Sequence, residues 1–139
     1  MAYFRDAQEV YDTIGKLFVD LSNDDELAPK FRNANTIVQY NHRDPDAPIT
    51  VRLKKDEPID IDFGETDMEP EVVMSMEADT AHRFWLGQVN VTVALARGEI
   101  KASGPVAKIL KLVPLTKPAY PRYKALLEAQ GRDDLVNVG

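Results

Sequence analysis

The stretch at residues 84–115, FWLGQVNVTVALARGEIKASGPVAKILKLVPL, constrains the fold more than any other part of the chain. It is apolar beyond the needs of one short element, and its charges, Arg97, Glu99, Lys101, Lys108 and Lys111, stand apart from one another. Gly98 and Gly104 bracket a strand-like run, GEIKASG, and an apolar helical pattern starts directly after it. A small acidic chain with this much apolar sequence around one strand builds either a filled core or a core that keeps an apolar cavity.

A chain of 139 residues fits one domain. Folding at this size buries roughly two-thirds of the extended surface, so neither metal nor disulfide is needed for stability. The net charge of −6 and isoelectric point near 4.9 argue against nucleic acid and against an anionic bilayer as constitutive partners, because both attract Lys/Arg surfaces. The lack of cysteine excludes disulfides, thiol catalysis and cysteine zinc sites. The opening MAYFRDAQEVYDTIGKLF lacks the order of a secretory leader. No run approaches the ~20 apolar residues of a membrane span, and the ending LVNVG is not a Ser-Lys-Leu address. The expectation is a single cytoplasmic domain over residues 1–139, with 132–139 a loose tail.

Val10, Ile14, Leu17, Phe18 and Leu21 recur at helical spacing behind Asp6 as N-cap. Asn23 or Asp24 caps a short second helix through Leu27 and Phe31, with Pro29 either in its first turn or ending it. After Asn35 the period becomes two. Residues 36–40 read as a strand and HRDPDAP as a turn. Ile49, Val51 and Leu53 form a second strand, and Ile59, Ile61 and Phe63, alternating with Asp60 and Asp62, a third. An acidic connection leads to 72–76, apolar on both faces and therefore inside the sheet. Asp79 or Thr80 caps a helix carrying Phe84, Trp85 and Leu86 that stops or bends at Gly87. Pro105 opens a helix with Val106, Ile109, Leu110 and Val113 on one face, ended by Pro114. Thr116 caps a last helix through Tyr123, Leu126 and Leu127 to Gly131.

The segment VNVTVALA supports two readings. Val89, Val91, Val93 and Leu95 alternate as in a strand, whereas Val89, Val93 and Ala96 share one helical stripe. Periodicity slightly prefers the strand.

In this order the chain resembles the sterol carrier protein family of type two, small lipid-transfer domains. The resemblance rests on VVMSMEADTAHRFWLG, VNVTVALARG, GEIKASG and PVAKILKLV. GEIKASG follows the family's Gly-Lys-Leu-Lys-Ile-x-Gly pattern, with Glu99 in place of the usual Lys. The resemblance implies an α+β fold: a five-stranded, mostly antiparallel mixed sheet with helices on one face and an apolar tunnel between the two layers. It also implies that residues 89–97 are helical, against the period of two. The apolar residues Met74, Met76, Trp85, Leu86, Val89, Val93, Ile109, Leu112 and Leu115, joined by Val38, Val51, Ile61 and Ile100 from strands and by Tyr120, either pack as ordinary core or line such a tunnel, and the resemblance favours the lining. Methionines suit such a site, being flexible and polarizable. The acidic composition and the ending depart from the basic surface and peroxisomal tail of many eukaryotic members.

Other constellations read most simply as structure. Asp60 and Asp62 share one strand face, which suits a hard cation or acid/base work but equally a solvated outer face. His42, Asp44 and Asp46 lie in a Pro-rich turn, and His82 on a short helix. Ser22, Ser75 and Ser103 lie in no nucleophile pattern. Lys101, Lys108, Lys111, Lys117, Arg122 and Lys124 concentrate cations towards the C-terminal part, where they either receive an anionic headgroup or form wet helix faces. The functional expectation is a non-enzymatic carrier without cofactor or metal. Its partner is a hydrophobic small molecule, a fatty acid, acyl-CoA or sterol-like ligand, with no nucleic acid and no stable membrane insertion. Tyr120 and Tyr123 of the last helix would gate it. The alternative is an accessory module that presents a quinone- or polyprenyl-like intermediate to a partner enzyme.

Overall fold

The computed structural model describes residues 3–137. Helices α1 (Ala7–Val10) and α2 (Lys16–Ser22) join through a π turn, Tyr11–Gly15, into one rod. The Asp6 carboxylate accepts from the Glu9 amide at 3.0 Å, and Glu9 accepts from the Arg5 amide at 2.6 Å, an exchange that satisfies orphan donors at the helix start. After the short α3 (Ala28–Arg32) come β1 (Thr36–Arg43), β2 (Ala47–Leu53), β3 (Asp60–Phe63) and β4 (Val72–Glu77). Helices α4 (Ala78–Trp85) and α5 (Val91–Arg97) precede β5 (Ile100–Ser103). Then follow α6 (Val106–Leu112), a 3-10 turn (Val113–Thr116), α7 (Ala119–Ala129) and α8 (Asp133–Val136).

The strand order is β3-β2-β1-β4-β5, with β1 parallel to β4 and every other pair antiparallel. This is the α+β fold with a five-stranded mixed sheet. β4 lies inside the sheet, as its two apolar faces indicate. Register sets Val38 beside Val51 and Val72, and Met76 beside Ile100, all buried under the helices. Alternation turns Gln39, Arg52, Asp60, Asp62 and Lys101 to the opposite face. There the Asp62 carboxylate accepts from the Thr66 hydroxyl at 2.7 Å, and Arg52 pairs with Glu57 at 3.0 Å.

Gly15 marks where the rod meets the sheet edge. A Cβ there would lie 2.9 Å from the Phe63 ring, which stacks on Tyr11 with centroids 5.2 Å apart. Gly104 is a second close approach: at φ +124 its added Cβ would lie 2.3 Å from the Glu71 carbonyl oxygen, so only glycine closes the turn from β5 into α6.

Residues 91–97 form a helix, which overrules the alternation of valines. Both ends are capped. The Asn90 side chain accepts from the Val93 amide at 3.1 Å, and Gly98 is left-handed at φ 74. The Glu99 amide then reaches the Ala94 carbonyl at 2.9 Å. The valine stripe does not mark burial either, since Ala94 is the buried residue of this helix. Pro105 sits at the N-cap of α6, one position ahead of the expected first turn. The N-cap of α4 is Glu77, while the Asp79 carboxylate accepts from the Tyr3 amide at 2.9 Å.

The expected loose tail is also corrected. Residues 132–137 are fixed: Leu135 is buried, its carbonyl lies 2.7 Å from His82 Nε2, and Arg132 pairs with Glu9 at 2.9 Å. Residues 1–2 and 138–139 of the expected domain lie outside the described residues.

Candidate functional site

One apolar cleft, open to the surface on one side, lies between the sheet and the first helices. Phe18, Leu21 and Ser22 line it from α2 and Phe31 from α3. Val38 and Tyr40 come from β1, Val51 and Leu53 from β2, Ile59 from the approach to β3, and Trp85 from the end of α4. Helical spacing gathers the α2 residues on one stripe, and alternation turns Val38 and Tyr40 to one sheet face. The cleft has a volume of about 40 Å³, room for only a few water-sized groups. No charged side chain lines it.

Three of its rings touch one another. Phe18 lies 5.0 Å from Tyr40 and 5.2 Å from Trp85, centroid to centroid, and Tyr40 lies 6.0 Å from Trp85. These tilted and edge-on arrangements stiffen the wall. The Ser22 hydroxyl donates to the Val19 carbonyl at 2.7 Å. Burial pushes the Tyr40 phenol well above its ordinary pKa, with no hydrogen bond among the causes.

Helix α3, which carries Phe31 over the cleft, is clasped at both ends. Before its start Asp24 accepts from the Leu27 and Glu26 amides, at 2.8 and 3.0 Å, and pairs with Arg122 of α7. Those amides, first of all that of Leu27, hold the Asp24 carboxyl below its usual range, with Arg122 adding to the effect. Beyond its end Lys108 of α6 donates to the Asn35 carbonyl at 2.6 Å and reaches that of Ala34 at 3.5 Å. Two of the C-terminal cations are thus occupied in holding the cover.

Of the expected lining, Val38, Val51 and Trp85 meet in this cleft. Ile61 is the β3 neighbour of Val51, and Met74 the β4 neighbour of Tyr40. Met76, Ile100 and Leu112 are buried in the core, while Leu86, Val89, Ile109 and Leu115 are half-buried against it. Tyr120 packs over Gly87, with its hydroxyl 3.1 Å from that of Thr116. Val93 is 42% exposed and shares an open, polar depression with Val89, Arg83 and Arg97. Tyr123, expected in the gate, is fully buried instead. The residues that sequence reasoning did not single out for the site are Phe18, Leu21, Ser22, Phe31, Tyr40, Leu53 and Ile59. Phe18, Leu21 and Phe31 were visible as an apolar stripe but carried no sign of facing a void rather than a neighbour.

His42 and Asp60 stay apart from this cleft. His42 is buried on β1, with Nδ1 2.7 Å from the Ala47 carbonyl and Nε2 without a partner among the described residues. Among the described residues no group of three or more His, Asp or Glu side chains converges as a metal site.

The sequence matches the SCP-2 sterol transfer family over residues 16–117. That span contains every residue lining the cleft. The chain belongs to the SCP-2 sterol transfer family. Membership places it among lipid-transfer domains. The solution structure of the sterol carrier protein domain 2 of Helicoverpa armigera is 19% identical, with a TM-score of 0.67 over 82% of this chain and 90% of that one. Palmitated SCP2L2 from Aedes aegypti is 20% identical, with a TM-score of 0.59 over 78% and 94%. The ubiquinone synthesis protein UbiJ-SCP2 is 16% identical, with a TM-score of 0.58 over 86% and 96%. No curated protein sequence matches the chain significantly. Among the described residues no helix is long and apolar enough to cross a membrane.

Proposed function

We propose that this SCP-2 domain is a non-enzymatic carrier of an elongated apolar ligand, which it takes into the cleft beneath Phe18, Phe31 and Trp85. The observation that carries this reading is the cleft itself, walled by apolar and aromatic side chains and free of charged groups. Removing apolar surface from water stabilises a guest by roughly 25 cal/mol per Å², so an alkyl chain needs no reactive partner to be held. At about 40 Å³ the cleft is smaller than a long chain. Uptake therefore parts α3 from the sheet, and Phe31, half-buried on a five-residue helix, is the mobile wall. Ile61 and Met74, next to lining residues in the sheet, extend the wall as the cleft opens. A cytoplasmic location belongs to the same reading.

Two relatives support a lipid ligand: one is described as palmitated, and one as a sterol carrier protein domain. The likeness to UbiJ-SCP2, described as a ubiquinone synthesis protein, favours a second reading. In it the domain holds a hydrophobic intermediate for a partner enzyme and does not exchange it freely. A vesicle assay separates the two. A carrier accelerates transfer of a fluorescent lipid from donor to acceptor vesicles in proportion to protein concentration. Stable lipid retention without transfer favours the second reading, and neither retention nor transfer contradicts both.

A further inference from the structure

Resting on the reading of the cleft as a lipid site, we infer that helix α6 docks reversibly on the surface of an anionic phospholipid bilayer, beside the cover of the cleft. Helix α6 buries one residue, Leu112. Helical spacing places Val106, Ala107 and Leu110 on the side away from it, and Pro114 follows in the 3-10 turn; all four are exposed. Val106 and Leu110 are 69% and 65% exposed, more than any other large apolar side chain described. The moment of this helix thus points outward, the pattern of an apolar face that meets something outside the fold.

The surrounding charge selects that partner. Residues 100–127 carry six Lys and Arg side chains and no carboxylate, although the whole chain has 23 acids against 17 cations. Lys108 and Arg122 are engaged by the Asn35 carbonyl and by Asp24. Lys111, next to Leu110, and Lys117, just past the 3-10 turn, are exposed and make no ion pair among the described residues. Apolar side chains flanked by lysines fit the boundary of acyl chains and anionic headgroups, where the stems follow the apolar face and the ammonium groups stay at the phosphates. The net charge of −6 keeps the contact reversible, as a carrier requires. Lys108 of this same helix holds the end of the cover helix α3, so docking of α6 brings the cover close to the bilayer that supplies the lipid.

The test is co-flotation of the full chain with phosphatidylcholine vesicles, with and without about 30% phosphatidylglycerol. The expected result is binding to the anionic vesicles alone, lost in about 0.5 M salt. Lys111→Gln weakens it about fivefold, the double variant Val106→Ser with Leu110→Ser about tenfold, and Lys55→Gln, in the turn after β2, leaves it unchanged. Matching melting curves verify the folding of each variant. No vesicle binding by the native protein, or binding that the double variant leaves intact, overturns the inference. So does self-association that the double variant abolishes in the absence of vesicle binding, which would mark the face as covered by a second copy. Uptake of a fluorescent fatty acid from vesicle-free solution separates the two readings. The double variant takes it up as the native protein does, whereas failure of the native protein to take it up overturns the lipid site itself.

Discussion

His82 and Tyr123, 41 residues apart, share a buried hydrogen bond of 2.8 Å in which the tyrosine hydroxyl donates to Nδ1. The direction follows from the other ring nitrogen. Nε2 lies 2.7 Å from the Leu135 carbonyl, which only accepts, so Nε2 carries the proton. Three helices, α4, α7 and α8, are joined at this one imidazole. Tyr123→Phe removes the donor and strands a buried nitrogen. The expected loss is about 1–3 kcal/mol of unfolding free energy, read from the shift of the urea midpoint.

The same site makes stability depend on pH. Burial lowers the pKa of His82, opposed by the Leu135 bond and by Asp79, and burial likewise lowers that of His42. Each therefore binds a proton more readily in the unfolded chain, where its pKa is about 6.5. Their contribution is complete above that value and is lost as pH falls from it towards the lowered folded values. The urea midpoint should be lower at about pH 5.5 than at about pH 7.5. Equal midpoints would contradict neutral, buried imidazoles.

The two glycines that bracket β5 differ in what they tolerate. Gly98 is left-handed with nothing within 4 Å of an added Cβ, whereas at Gly104 the added Cβ would strike the Glu71 backbone. Gly98→Ala should cost about 1 kcal/mol, the penalty of the left-handed conformation alone. Gly104→Ala adds a backbone clash and should cost at least twice as much, by roughly 2–3 kcal/mol. Thermal melts of the two variants side by side test the order.

The clasp on α3 predicts a kinetic effect. Lys108→Met keeps the apolar stem but removes the ammonium that holds the Asn35 carbonyl. With the cover freer, ligand uptake and release should both accelerate several-fold, at little change in equilibrium affinity. Stopped-flow Trp85 emission measures both rates. Unchanged rates would show that α3 is not the moving wall.

The strands were legible because one face is buried and the other wet: Ile49, Val51 and Leu53 point under the helices while Thr50 and Arg52 alternate with them. The long first helix and the Asp6 cap followed from local spacing in the same way. Periodicity failed at residues 91–97, where the end caps Asn90 and Gly98 outweigh a chance alternation of valines. It was silent on α8, a four-residue helix held by contacts from His82 and Glu9, which lie far away in sequence. The cleft was the least visible feature. The apolar stretch after Phe84 contributes only Trp85 to it, and the other walls come from α2, α3 and three strand segments. Whether Phe18 meets a neighbour or a gap depends on where Phe31 and Val51 lie in space, and no spacing along the chain encodes that.

Methyl NMR with nitroxide-labelled methyl stearate shows whether an apolar guest enters beneath Phe18, Phe31 and Trp85. Entry there gives saturable broadening of Val38, Val51 and Leu53, with slight effect on Val106 and Leu110, which are 69% and 65% exposed. Broadening confined to Val106 and Leu110, or none that saturates, would rule out entry at this cleft.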